Sequence, residues 1–581
     1  MENYFTENKD IQLLFNNADM TEITDLKEGD YSDARYYDYA FTDPQDAKEG
    51  YREVLNLVGD ICGGVIAPAA PDIDEEGCRL HAGKVTYPAG IQNALGILKK
   101  SNLMGFTLPR RYGGLNFPTS IYSIAIEMVS QADASLMNLF GLQDIADTIN
   151  DFADEQLKEK YLPRFASGEV TGAMALTEPD AGSDLQAVQL KAYYDQSPDM
   201  WRLKGVKRFI TNGCGDVLLV LARSEPGSKD GRGLSMFLCE RDDSLVVRRI
   251  EDKLGIHGSP TCELQFNDTP AYLVGKRRMG LIRYVMALMN GARVGIAAQA
   301  LGISQAAYLE GLEYAMAREQ FGKKIITMPL VYEMLINSLV DIEASRLLLY
   351  ETSRIVDLKN GYEKKLDKEE KPTRELRSTF KYYNALAGLL TPMSKYLSTE
   401  YANRVAYDML QVHGGTGYMR DFNIERHYRD ARITSIYEGT TQLQHVGAIG
   451  GVVTRVMEPE LDKIEHQLTE NFQKTFLREL HEKRDLLSRA IAFMKEKDDH
   501  TYQSYHSSRM VDMAAKIYIS YLFLKYAAFS EEKKKAASIF FEREMPEIEK
   551  NYTIVTTGRS TVIDHAESLL ASTGPVEVCT L

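Results

Sequence analysis

The sequence predicts a mainly α-helical protein with a small β-domain set into its middle. Three observations predict it. Apolar residues recur at helical spacing through about residues 88–168 and again from about 279 onwards. Between these blocks, from about 171 to 275, short apolar runs alternate with Gly, Asp and Pro turn signals. The segment GLIRYVMALMNGARVGIAAQALGISQAAYLEGLEYAMAREQ also runs for roughly forty residues without proline, which suits the long helices of a bundle.

In chain order, residues 1–78 read as an N-terminal extension. They are charged and tyrosine-rich, carry an amphipathic segment from Tyr51 to Ile66, and suggest a surface cover ending near the proline-rich APAAPD. Residues 79–170 read as a helical domain built on GIQNALGILKKSNLMG, IYSIAIEMVSQADASLMNLFGL and DEQLKEKYLPRFASGE. Residues 171–277 form the β-domain, with GDVLLVLARS, GLSMFLCERD, SLVVRRIEDK and TCELQFNDTP as strands. Residues 278–455 return to long helices, including MPLVYEMLINSLVDIEASRLLLYETSRIVD. The charged run KNGYEKKLDKEEKPTRE reads as an exposed loop between two of them. Residues 456–581 form a helical C-terminal extension in which acid slightly exceeds base.

Composition narrows the class. A chain of 581 residues suggests three or four domains. With 44% hydrophobic and 26% charged residues it is a globular protein, not a disordered one. A net charge of −15 argues against nucleic acid as the main partner. Six scattered cysteines, at 62, 78, 214, 239, 262 and 579, offer neither a zinc spacing nor a disulfide framework. The start MENYFTENKDIQ lacks the apolar core of a secretory signal, and no run of 18 uncharged apolar residues suggests a spanning helix. The expectation is a cytoplasmic enzyme without a transmembrane segment or bound metal.

No phosphate loop of the G-x-x-x-x-G-K-[ST] kind, no G-x-G-x-x-G after a strand, no H-E-x-x-H and no G-x-S-x-G occurs. Four stretches remain, each with a local structural explanation. QVHGGTGYMRD could cap a helix, ALTEPDAGSD could be two turns, RFITNG a hairpin turn, and IYEGTT a capped helix start.

Their order says more than any one of them. A helical block, ALTEPDAGSD, a small β-domain containing RFITNG, an AREQFGK helix, QVHGGTGY and then YEGTT together resemble the acyl-CoA dehydrogenase family over about residues 80–450. The length, both terminal extensions and KLGIHGSPTCEL are similar to the longer branch that includes 3-methylmercaptopropionyl-CoA dehydrogenases. The resemblance implies a helical domain, a β-barrel and a four-helix bundle, with FAD held between the barrel and the bundle. It implies oxidation of an acyl-CoA thioester to the trans-2-enoyl-CoA, a role in fatty acid metabolism, an electron-transfer flavoprotein as acceptor, and a homodimer or homotetramer.

Residue by residue, the resemblance makes Glu438 the base that removes the α-proton while the β-hydride goes to flavin N5. Such a proton is weakly acidic, so a positioned carboxylate needs help from donors at the thioester oxygen. Tyr437 and Gly439 would flank the thioester. Ala292, where some relatives carry the base instead, cannot serve as one. Leu176 and Thr177 match contacts to the flavin pyrimidine edge, Phe209 and Thr211 to its ring face and N5, and Ser183 to the pyrophosphate and the CoA chain. Phe209 stands where most relatives have tryptophan. Arg318, Phe321, Gln411 and Gly415 match contacts to the FAD of a neighbouring subunit, and Thr440 and Gln442 contacts to the adenosine end. Arg293 and Asn290 match CoA contacts. His257 replaces an arginine of the commoner pattern and reads as structural. Three other readings were open at this level: an oxygen-reacting oxidase, a DNA-associated flavoprotein, and a membrane-surface contact through MVDMAAKIYISYLFLKYAAF.

Overall fold

The computed structural model describes residues 1–572, so Cys579 and the end of the expected C-terminal extension lie outside the described residues. The chain divides into two compact units. The first comprises Met1–Asn384 and Ser394–Thr440, and the second Ala385–Met393 and the chain from Thr441 onward.

Four helices open the first unit: α1 (Lys9–Asn17), α2 (Thr21–Glu28), α3 (Pro44–Ile61) and α4 (Ala67–Glu76). Asp43 caps α3 by accepting from the backbone N–H of Gln45 at 2.8 Å and Asp46 at 3.0 Å, with Pro44 in the first turn. A π turn over Cys62–Ile66 joins α3 to α4, so the helix runs through APAAPD instead of ending near it. This stretch, Pro44–Glu76, is long and apolar enough to cross a membrane by composition, which the uncharged-run criterion did not anticipate. Its apolar face is nevertheless packed inside the protein: Leu55, Val58, Cys62, Ile66 and Ala70 are fully buried.

The N-terminal segment is more than a surface cover. Phe5, Ile11, Phe15 and Tyr51 belong to the core. The buried guanidinium of Arg346 joins Asp10 of α1 to Glu127, the latter at 2.7 Å. Charged residues interleaved with helically spaced apolar ones conceal this role in the composition.

A hairpin, β1 (Arg79–His81) and β2 (Lys84–Thr86), precedes α5 (Ala89–Lys100), α6 (Thr119–Ala132), α7 (Ala134–Gly141), α8 (Ile145–Phe152) and α9 (Glu155–Ala166). Asp133 separates α6 from α7 and caps the latter, accepting from Leu136 N at 2.6 Å. The central sheet has seven strands: β3 (Gly172–Ala175), β4 (Lys191–Asp195), β5 (Met200–Thr211), β6 (Val217–Arg223), β7 (Leu234–Glu240), β8 (Leu245–Ile250) and β9 (Thr261–Leu273). Their order is β3-β6-β4-β5-β9-β7, with β8 beside β9 and a further pairing of β6 with β7. Every residue of β6 is buried, which is why GDVLLVLARS reads as an unbroken apolar run.

A π turn over Gly280–Val285 leads into α10 (Met286–Ala317), which is buried all round from Val294 to Ala307 and packs along α6. The expected AREQFGK helix is not one. The helix stops at Ala317, and a hairpin of β10 (Glu319–Gln320) and β11 (Lys323–Lys324) follows. Phe321 and Gly322 at its tip have φ of 53° and 72°, the left-handed pair that a two-residue hairpin turn requires and a helix forbids. The long helices continue with α11 (Pro329–Lys368), α12 (Arg374–His413) and α13 (Ile424–Thr434). Most of the charged run expected as a loop is the end of α11. Lys359 pairs with Glu363 one turn on, and Tyr362 stacks on Tyr383, so solvated charge supports the helix there. α12 ends on Gly414 at φ 61°, the cap expected of the glycine cluster.

The second unit holds α14 (Thr441–Val453), α15 (Glu458–Gln467), α16 (Asn471–Lys497), α17 (His500–Ala527), α18 (Glu531–Thr556) and α19 (Thr561–Ala571). The apolar run MVDMAAKIYISYLFLKYAAF is α17, buried among α14, α16 and α18. Its Lys516 pairs with Asp512 at 2.8 Å and Glu544 at 2.9 Å. The face considered for a membrane surface is therefore occupied inside this unit.

Candidate active site

IYEGTT forms the sharp turn that follows α13. The N–H groups of Ile436 and Tyr437 return to the carbonyl of Ile433 at 2.9 and 3.1 Å, and the chain then reverses through Glu438 (φ 53°) and Gly439 (φ 89°). Left-handed backbone is unremarkable for glycine but costs a glutamate roughly 1 kcal/mol, so the surrounding structure must hold it there. Two anchors do so. The Tyr437 hydroxyl bonds to Gln299 of α10 and to Asn138 of α7, the latter at 3.3 Å. Behind the turn, the Lys395 ammonium on α12 donates to Gly439 O at 2.7 Å and to Thr434 O at 3.2 Å.

Glu438 is half-buried. Burial pushes its carboxyl above the ordinary carboxylate range, against the opposing pull of Lys395 and Arg293. Burial likewise brings Lys395 down to about 8, although the Glu438 charge works to keep it protonated. Arg293, on the first turns of α10, is also lowered by burial. Its Nη1 donates to exposed Asn290 at 3.2 Å, and its buried Nε has no hydrogen-bond partner. The structure thus brings Tyr437, Glu438, Gly439, Arg293 and Asn290 to one place. The sequence reading missed Lys395. Its only signal was a lone lysine in the apolar stretch LLTPMSKYL.

The second cluster lies where β3 and β5 end. Leu176 and Thr177 follow β3, and Phe209 and Thr211 close β5. The Arg208 N–H donates to Thr177 O at 3.0 Å and ties the two segments together. A buried ion pair, also missed, fixes the intervening turn. Lys207 donates to Leu176 O at 2.6 Å and to Glu178 at 2.9 Å, and Glu178 accepts from the N–H groups of Gln189 and Leu190 at 2.7 and 2.9 Å. Phe209 is 50% exposed with φ 61°, and the Arg208 guanidinium lies 4.6 Å from its ring centre. Ser183 is exposed on the following turn.

A third cluster sits at the far ends of α10 and α12. Tyr314 stacks on His413 and bonds to Thr416 at 2.9 Å, setting exposed Arg318 and Phe321 in the same region as exposed Gln411 and Gly415. Arg293 and Arg318 lie near opposite ends of α10, and 25 residues at 1.5 Å each separate them by about 37 Å. Thr440 is the last residue of the first unit, and Gln442 lies in the first turn of α14 in the second. His257 bridges Asp74 at 2.9 Å and contacts Lys253 O at 2.9 Å, a structural position.

Four domain models match the chain. They are the acyl-CoA dehydrogenase N-terminal domain over residues 48–169, the middle domain over 173–269, the C-terminal domain over 282–450, and a further acyl-CoA dehydrogenase C-terminal model over 453–560. The chain belongs to the acyl-CoA dehydrogenase family. It is 32% identical over 434 residues to the 3-methylmercaptopropionyl-CoA dehydrogenase of Ruegeria pomeroyi, covering 70% of this chain and 71% of that one. Among solved structures it resembles butyryl-CoA dehydrogenase from Megasphaera elsdenii (TM-score 0.58, 30% identity, 69% of this chain and 98% of that one). An acyl-CoA dehydrogenase from Bacillus anthracis complexed with FAD shares the fold across 92% of both chains, with TM-score 0.75 and 22% identity.

Proposed function

We propose that this chain oxidises an acyl-CoA thioester to the trans-2-enoyl-CoA, with Glu438 as the base. The observation that carries the reading is Glu438 itself, a half-buried carboxyl on a strained turn with two cations acting on it. The residues present fit FAD. Phe209 offers a half-exposed aromatic wall, and Leu176–Thr177 sit alongside it. β6 pairs with both β4 and β7, which supports reading the sheet as the barrel of this architecture.

When bound, FAD supplies the acceptor for the β-hydride at its N5. The chain's own residues do the rest. Glu438 takes the α-proton onto a carboxylate oxygen. Its backbone N–H is, as the family resemblance implies, a donor for the thioester oxygen where negative charge develops. Tyr437, held by Gln299 and Asn138, walls the thioester, and Gly439 leaves it space. The unpartnered Nε of Arg293 is a donor for a polar group of the CoA arm. Ser183, Thr211, Thr440 and Gln442 are assigned to the cofactor and CoA as the family resemblance implies. Reoxidation is assigned to an electron-transfer flavoprotein.

An anaerobic screen of butyryl-, octanoyl-, 3-methylmercaptopropionyl- and 3-phenylpropanoyl-CoA tests this. At least one should bleach the flavin absorbance of the purified protein. Glu438→Gln should retain flavin and lose at least about a hundredfold in reduction rate, the scale of a positioned general base. Near-normal reduction in that variant would place the base elsewhere.

A further inference from the structure

α12 carries an ammonium group wholly removed from water. Lys395 is 0% exposed. Its hydrogen-bond acceptors are two backbone carbonyls, of Thr434 and Gly439, which bracket the turn that carries Glu438. Burying a charge is costly, and a methionine would fill the same volume without that cost but would leave the Thr434 and Gly439 carbonyls without this donor. The lysine thus does two things a methionine could not: it ties both carbonyls to α12 and sets a positive charge behind the turn. The anionic groups acting on Lys395 are Glu438 and Glu400, and Arg293 on α10 opposes its charge. Around Glu438 itself stand Lys395 from α12, Arg293 from α10 and Tyr437 from the same turn, with Asp430 of α13 acting in turn on Tyr437.

We propose that Lys395 is the positioning residue for Glu438, fixing the turn by its two carbonyl bonds and balancing the carboxylate with its own charge. The inference rests on Glu438 being the base. Two bonds from one rigid helix pin both ends of residues 435–438, so the glutamate keeps its left-handed backbone without substrate present. Lys395 neither gives nor takes the reacting proton. That proton passes from the substrate α-carbon to a Glu438 oxygen, and the ammonium keeps its three protons throughout. Its charge opposes protonation of the resting carboxylate, which burial alone would favour. A loose or neutral Glu438 would have to be reordered or deprotonated before each turnover.

The test uses flavin-loaded Lys395→Met and Lys395→Arg, with Glu438→Gln as reference. Difference infrared spectroscopy follows the protonated carboxyl stretch absent from Glu438→Gln, with no substrate needed. In Lys395→Met the pH midpoint of that band should rise by about one to three units, the usual effect of an adjacent opposite charge. Flavin reduction at pH 7 by the most active thioester of the panel should fall at least about tenfold, with its acidic limb moving up in parallel. Lys395→Arg should keep the midpoint within about half a unit and recover most of the rate. A midpoint and rate in Lys395→Met equal to wild type would overturn the proposal. If Lys395→Met does not fold, Lys395→Gln, also neutral but able to donate to one carbonyl, must show the same upward shift, and an unmoved midpoint there overturns it equally. Full reduction by Glu438→Gln would instead remove the base assignment, and the infrared midpoints would still report whether Lys395 governs Glu438.

Discussion

At the scale of single residues, this protein places reactive groups by adjusting their surroundings, and a second case lies just beyond the end of β5. Cys214 follows the RFITNG turn. Its thiol is lowered by a hydrogen bond with Cys262, with Tyr87 and Arg241 adding to the effect, while Cys262 is raised by the same contact. Tyr87 Oη lies 3.5 Å from the Cys214 sulfur. Burial pushes Cys78 and Cys239 up to about 12 and Cys62 higher still. The thiolate is the nucleophile in alkylation, so thiolate fraction and access set the order of reaction. Of the five described cysteines, Cys214 should be the first carbamidomethylated by iodoacetamide at pH 7.5, read by peptide mass spectrometry. Prior labelling of Cys78 or Cys262 would show that the hydrogen bond does not activate Cys214.

At the scale of elements, the ties between helices and sheet are ionic where the sequence shows only isolated charges. Asp74, near the end of α4, pairs with Arg429 of α13 at 2.6 Å and with His257, which sits between β8 and β9, at 2.9 Å. Burial alone would raise Asp74, but hydrogen bonds from His257 and Arg429 outweigh it and hold the carboxyl well below its usual range. That depressed value gives stability that is present above about pH 4 and lost as acid protonates the group. Asp74→Asn should therefore cost about 2 kcal/mol near pH 6, by thermal unfolding, and the gap to wild type should narrow below pH 4. A gap that persists undiminished in acid would mean the loss comes from packing. The same example shows what a sequence hides. RFITNG, the glycine cluster and YEGTT are legible because Gly and Asn at positive φ leave a local mark. The strands are legible because β6 is buried on both faces. The AREQFGK hairpin and the end of α11 were misread because propensity favours a helix in the first and charge suggests a loop in the second, while the deciding partners are distant in sequence. Lys395 and the Glu178–Lys207 pair become visible only once α12 meets the turn after α13 and β5 meets the turn after β3.

At the scale of the whole molecule, the two ends of α10 pose a question of assembly. Arg293 belongs to the Glu438 cluster, whereas Arg318 lies about 37 Å along the same rigid rod. Large apolar groups are exposed around the distal end: Phe321 at 92%, Tyr418 at 78% and Leu330 at 76%. Exposed aromatic groups of that size beside an arginine suit contact with a second copy of the chain. If Arg318 serves the cofactor of its partner and Glu438 acts within its own subunit, each site draws on two chains. The prediction is complementation. Glu438→Gln and Arg318→Ala should each be inactive as homodimers. In a mixed dimer one site receives both substitutions and the other receives neither, so the second works. Random pairing makes half the dimers mixed, and the co-expressed pair should recover about a quarter of wild-type activity per site under the symmetry of a twofold dimer. Tagging the two chains differently and purifying the mixed species by both tags should raise this to about half. A doubly tagged dimer with no more activity than its parents would mean that Arg318 and Glu438 serve the same site from one chain, or that Arg318 serves none.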